Sequence, residues 1–275
     1  MTSAEVGVFG GSGFYAFLDD VEEVEIETPY GKPSAPLTIG EIGGKRVAFL
    51  PRHGRAHELP PAQINYRANV WAIRSLGVKA VISPCAAGSL TPEVKPGDFV
   101  VCDQLVDRTN GRADTFYDGP IVTHLSSAEM YDPVLRRLAI ETIRDHGITV
   151  HETGTIVIIQ GPRFSTKAES KWFMDAGWQV ISMTQYPEAW LCRELGMAVV
   201  NIALITDYDA GVIEGTEAVD AMSVLEVFEQ NAQRIREVVL DLVGRFPADL
   251  DALGPTRGDG HATSPEDIRL FETGL

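Results

Sequence analysis

Seven apolar runs of strand length punctuate this 275-residue chain: VGVF (6–9), VAFLP (47–51), AVISPCAAG (80–88), DFVVCDQLV (98–106), GTIVIIQGP (154–162), QVISM (179–183) and AVVNIALITDYD (198–209). Most are too continuously apolar to belong to a sheet with one wet face, because a half-exposed strand alternates polar and apolar residues. Amphipathic stretches of helix length lie between them, at 62–76, 131–146, 166–176, 187–195 and 223–243. That alternation predicts an α/β fold, a single domain over residues 1–245 with a mixed central β-sheet flanked by helices. A hydrophobic content of 44% is sufficient for one large core. From 246 to 275 the text is rich in Gly, Pro, Asp and Thr. It reads as a C-terminal tail that is mobile or docks on a neighbouring subunit through SPEDIRLF.

The formal net charge is −16, with the acid spread along the chain, which argues against nonspecific nucleic-acid binding. An anionic substrate would need a local basic pocket. No charged-then-apolar leader and no apolar run of ~18 residues is present, so a cytoplasmic protein without membrane contact is expected. Cys85, Cys102 and Cys192 are widely spaced and lack a CxxC pair, which suits reduced thiols better than disulfides or zinc.

The segment VGVFGGSGFYA satisfies G-x-G-x-x-A at Gly11–Ala16, with Glu27 near the position of a ribose-binding acid. A dinucleotide site needs a crossover helix directly after these glycines, however, and the following text reads as turns and antiparallel strands. What survives is a loop whose amides, with the Ser12 hydroxyl, suit a small phosphate, or else a plain turn.

Four further strand ends carry chemistry. In LPRHGRAH, Arg52 offers a planar fork to an anion and His53 offers further hydrogen-bond donors; zinc on His53 and His57 lacks an evident third ligand. In SPCAAGSL, the small residues Cys85, Ala86, Ala87 and Gly88 let a ligand lie against backbone at the carboxyl edge of the sheet. In ITDYDAG, the i, i+2 spacing of Asp207 and Asp209 turns both carboxylates to one face, with Tyr208 pointing away. Two acids sharing a pocket have their titrations pushed apart, although a helix cap or a turn explains them as well. In VISMTQYPEAW, Met183 and Thr184 set an adaptable apolar contact beside a hydroxyl, ahead of a helix carrying Glu188 in its first turn.

FGGSG, RHG, QGPRF (160–164), MT followed by PE, and TDYD occur in an order that resembles the trimeric purine nucleoside phosphorylases, in the branch acting on 5'-methylthioadenosine. NYRANVWAI, PGDFVVCDQLVDRT and TFYDG extend the likeness from about residue 6 to residue 243. The resemblance implies phosphorolysis to adenine and 5-methylthioribose 1-phosphate, with phosphate as co-substrate, no organic cofactor and no metal. It implies that Ser12, Arg52, His53, Thr184, Cys85 and the backbone around Ala86 hold phosphate. Ala87, Gly88 and Ser182 would touch the substrate, Met183 would pack on the ribose, Phe164 would line the base pocket, and Asp207 and Asp209 would read the adenine. Val224 and Leu225 would form the methylthio pocket, and His124 would arrive from the adjacent subunit of a homotrimer or hexamer.

The 6-oxopurine branch resembles the chain too, but has Asn in place of Asp207 and Glu in place of Ser165, both of which favour adenine here. The chain departs from the family pattern at Cys85, where a hydroxyl is lost, at Ser182 and at Gln160, which puts the preferred 5' substituent in doubt. Three alternatives stay open: a hydrolytic nucleosidase, a phosphorylase for inosine, guanosine or another purine nucleoside, and a nucleotide-binding oxidoreductase or non-catalytic nucleoside sensor.

Overall fold

The computed structural model describes residues 3–10, 21–120, 123–250 and Leu253. Among the described residues, eleven strands form one mixed sheet. They are β1 (Val6–Gly10), β2 (Glu22–Val24), β3 (Leu37–Ile42), β4 (Lys45–Pro51), β5 (Ala80–Ser89), β6 (Phe99–Val100), β7 (Gln104–Arg108), β8 (Val150–His151), β9 (Thr155–Ile159), β10 (Val180–Ser182) and β11 (Ala198–Asp207). Among the described residues five α-helices accompany them: α1 (Tyr66–Ser75), α2 (Pro133–Asp145), α3 (Lys167–Asp175), α4 (Gln185–Glu194) and α5 (Ala221–Arg245).

The alternation of side chains along the strands sorts the core into two faces. From β11, Val199, Ala203 and Ile205 join Phe9, Leu50, Val70, Ile73, Leu191 and Leu195 beneath α1 and α4. Val200, Ile202 and Leu204 point the other way, to Val6, Val8, Leu135, Ile143, Ile235 and Leu242 beneath α2 and α5. Strands buried on both faces cannot alternate polar and apolar residues, which is why these runs read as continuously apolar. Phe246 and Leu250 are buried in the second cluster and Leu253 packs against it, so the folded body continues past residue 245.

After β1 the described chain resumes at residue 21, and β2, β3 and β4 pair antiparallel in succession. Residues 21–51 therefore hold no crossover helix of the kind a dinucleotide unit requires. The phosphate-loop reading of Gly11–Ala16, Ser12 included, lies outside the described residues.

The functional geometry comes from a fork in the sheet. Strand β5 pairs along its whole length with β11 on one edge. On the other edge it pairs with β1 only over Ala80–Ile82, and with antiparallel β10 only at Gly88 and Ser89. Between these, the backbone of residues 83–87 faces no strand on that edge among the described residues. Chain ends from β4, β9, β10 and β11 converge around the opening.

Candidate active site

A cavity of about 620 Å³ occupies the fork. Its wall includes Arg52 and His53 after β4, Cys85–Gly88 on β5, Phe164 after β9, Ser182–Thr184 after β10, Asp207 and Asp209 at the end of β11, and Val224 on α5. The sequence-predicted strand ends thus meet in one place. Of the remaining candidates, His124 is exposed and does not line the cavity of its own chain. Leu225 lies within α5, but its side chain is outside the described residues.

At one end sits a buried ion pair. The Arg52 Nε and Nη2 donate to the two carboxylate oxygens of Glu188, each at 2.8 Å, and both side chains are 2% exposed or less. Nη2 also donates to Ser83 Oγ at 3.0 Å and Nη1 to the Pro84 carbonyl at 2.9 Å. Ser83 Oγ donates in turn to Glu188 at 2.5 Å and accepts from Gln185 Nε2 at 2.6 Å. Burial alone would lower the guanidinium pKa, but the Glu188 charge and hydrogen bonds outweigh it and hold it raised. The expectation of a free fork for phosphate is therefore corrected. A guanidinium has five N–H donors, and these contacts occupy four of them.

His53 is corrected similarly. Its Nδ1 lies 2.9 Å from the Leu59 carbonyl oxygen. That atom only accepts, so Nδ1 is the protonated nitrogen and Nε2 of the neutral ring carries a lone pair. Burial lowers the His53 pKa to about 4, so the ring is neutral and does not present the second donor that the sequence suggested. Thr184 precedes α4 without forming a side-chain cap, and it lines the cavity. The Cys85 thiol accepts from Asn201 Nδ2 at 3.3 Å, and burial raises its pKa, so it is a neutral wall atom. Ser182 Oγ donates to the Ala86 carbonyl at 3.1 Å, tying β10 to the open edge of β5.

At the other end stand the two aspartates. They do share the cavity, but not through strand alternation: β11 stops at Asp207 after an irregularity between Ile205 and Asp207. Asp209 lies in the left-handed region at φ 45°, and its N–H donates to Asp207 Oδ1 at 2.8 Å. A non-glycine residue in that region is uncommon, and Asp tolerates it better than most. Thr206 Oγ1 donates to the other Asp207 oxygen at 2.7 Å. Burial raises the pKa of both carboxyls, against the pull of these hydrogen bonds. Ser165 and Ser170 lie close enough to Asp209 to favour its charge, yet neither aligns with it. Among the described residues Asp209 Oδ2 and both serine Oγ atoms are buried without a partner.

Gly88 is what lets Asp207 lie against β5: a Cβ there would stand 2.8 Å from Asp207 Oδ1 and 3.0 Å from Ile181 Cγ2. Sequence reasoning missed Thr206, Ile181 and the α5 residues Phe228, Ala232 and Ile235, all of which line the cavity. The last three had a legible signal, since Val224, Phe228, Ala232 and Ile235 recur at helical spacing on one face.

The Phosphorylase superfamily model matches residues 5–244. The chain belongs to this superfamily. Among its relatives, the purine nucleoside phosphorylase of Streptomyces coelicolor is 51% identical over 253 residues, covering 89% of this chain and 90% of the relative. The S-methyl-5'-thioadenosine phosphorylase of Thermofilum pendens is 47% identical, covering 90% and 94%. The structure is also similar to methylthioadenosine phosphorylase from Schistosoma mansoni in complex with adenine. The TM-score is 0.84 at 37% identity, covering 89% of this chain and 92% of that one. A phosphorylase with this sheet has its cleft at the carboxyl ends of strands, where open α/β sheets hold ligands.

Proposed function

We propose that the chain catalyses phosphorolysis of 5'-methylthioadenosine to adenine and 5-methylthioribose 1-phosphate. Relatives bearing that activity in their names, from Thermofilum pendens and Mycolicibacterium smegmatis, support the reading. So does the purine end of the cavity, and the pair of carboxyls that Asp207 and Asp209 bring to its wall is the observation that carries it. A carboxylate accepts from the exocyclic amino group of adenine, whereas a 6-oxopurine would set an acceptor against it.

In this reaction a phosphate oxygen bonds C1' as the bond from C1' to N9 breaks, and the departing electron pair enters the purine ring. A proton or strong hydrogen bond at N7 lowers the barrier by stabilising that charge. Asp207, whose pKa burial raises, is the residue proposed to supply it, with Asp209 reading the amino group. Thr184, His53, the remaining Arg52 donor and the backbone at Cys85 and Ala86 are proposed to hold phosphate. Met183 would lie under the ribose, Phe164 against the base, and Val224 with Phe228 at the 5' substituent. The atoms balance with phosphate as co-substrate and without a cofactor. We further propose a cytoplasmic homotrimer in which His124 completes a neighbour's site. In support, His124 is exposed away from its own cavity, and all three cysteines are free thiols.

The Streptomyces coelicolor relative favours a second reading, phosphorolysis of another purine nucleoside. An ultraviolet assay of methylthioadenosine and inosine, each with and without phosphate, decides. Cleavage of methylthioadenosine only with phosphate supports the first reading. Preference for inosine supports the second, and cleavage without phosphate indicates a hydrolase.

A further inference from the structure

Among the described residues, the phosphate end of the cavity is poor in unclaimed positive charge. Glu188 neutralises Arg52 and uses two of the four donors already engaged. Arg55 is paired with Glu23 at 2.6 Å, and Glu58 accepts from the Ala56 N–H at 2.9 Å. His57 stacks on His53 with ring centroids 4.4 Å apart. Leu59 grips His53 twice: its N–H donates to the His53 carbonyl at 3.0 Å and its own carbonyl accepts from Nδ1 at 2.9 Å. This double clamp fixes the tautomer, so the ring nitrogen left over is an acceptor. Burial above all, and then the nearby Arg52 and His57, keep a second proton off it.

We propose that His53 makes this an anion site selective for tetrahedral oxyanions that carry a hydroxyl, with Nε2 accepting a hydrogen bond from the P–OH of phosphate. The inference rests on the phosphorolysis reading and deepens it. Phosphate and arsenate bear at least one hydroxyl at neutral pH, whereas sulfate bears none and would set a negative oxygen against the Nε2 lone pair. Leaving a buried acceptor unmatched weakens binding by ~10- to 100-fold.

The experiment follows phosphate-dependent nucleoside cleavage by the full chain at neutral pH and constant ionic strength, with sulfate as competitor and arsenate as replacement nucleophile. The expected result is a sulfate inhibition constant ~10 to 100 times the phosphate KM, with arsenate used about as readily as phosphate. In His53→Gln, whose amide can turn its NH2 toward the anion, the sulfate and phosphate constants should come to within a few-fold of each other. Sulfate competing as well as phosphate in the unaltered protein overturns the inference while leaving phosphorolysis standing. So does a His53→Gln variant that keeps the original ratio. Should that variant fail to fold, the sulfate-to-arsenate comparison on the unaltered protein decides alone. Absence of any phosphate-dependent cleavage overturns the phosphorolysis reading, and this inference with it.

Discussion

The two ends of the cavity spend their polar atoms in opposite ways. Around Arg52, Glu188 and Ser83 the charges and the hydroxyl between them are buried and paired before any ligand arrives, although Gln185 Oε1 beside them lacks a partner among the described residues. Around Asp209, Ser165 and Ser170 buried polar atoms are left unmatched. A paired buried network holds its geometry but adds little net charge, because desolvation offsets the attraction. An unmatched acceptor costs free energy until a ligand supplies its donor. The difference teaches that positioning is concentrated at the phosphate end and recognition at the purine end, so variants at the two ends should fail differently.

The largest effect is expected at the purine end. Asp207→Ala removes the hydrogen-bond partner of the leaving purine and should lower kcat by ~10²- to 10⁴-fold. Its thermal midpoint should stay close to that of the unaltered protein, because the lost partners, Thr206 Oγ1 and the Asp209 N–H, are short local contacts. Unchanged turnover, read by adenine release, would remove Asp207 from the chemistry.

Glu188→Ala tests the paired end. It leaves Arg52 charged and buried without its partner and should cost ~3–5 kcal/mol in denaturant unfolding. The freed guanidinium should then make phosphate stabilise the variant more than it stabilises the unaltered protein. Equal stabilisation of the two would mean that the guanidinium does not reach the anion. This variant should lose stability, whereas Asp207→Ala should lose rate.

Titration sharpens the contrast. His53 has a folded pKa depressed to about 4 from 6.5, so between those values the unfolded chain binds a proton that the folded one refuses. Its contribution to stability therefore rises with pH across that window, by up to ~3 kcal/mol. The buried carboxyl of Glu194, raised to about 7 by burial, slopes the other way. The informative quantity is thus the difference between the unaltered protein and His53→Gln at each pH. The stability of the unaltered protein minus that of the variant should increase as pH climbs from 4 to 6.5, and a difference that stayed flat would mean the ring is not held neutral.

Much of this was legible in the text. The five helical stretches and the apolar strands read correctly because burial on both faces leaves a continuous apolar signature. The run DFVVCDQLV was the partial miss, splitting into β6 and β7 with different partners. The strand ends bearing Arg52, Cys85, Thr184 and Asp207, which line one cavity, stood out because small or polar residues interrupt apolar runs there. What could not be read was the pairing. Glu188 lies 136 positions from Arg52, and nothing local says that the fork is already filled. The tautomer of His53 depends on the backbone of Leu59, and the position of Asp209 on a left-handed residue beyond the strand.

The smallest expected effect lies on the wall that neither end controls. Val224, Phe228 and Ala232 present one face of α5 to the cavity, the place proposed for the 5' substituent. Val224→Thr keeps the shape but exchanges a methyl for a hydroxyl, which an apolar methylthio group cannot satisfy. The cost should be ~1 kcal/mol, a KM for methylthioadenosine raised roughly fivefold. Adenosine, whose 5'-hydroxyl can pair with the new group, should lose nothing or gain. Because the substitution touches neither the buried ion pair nor the aspartates, kcat and stability should stay put. A parallel loss for both nucleosides would place the 5' substituent elsewhere and leave α5 a packing wall.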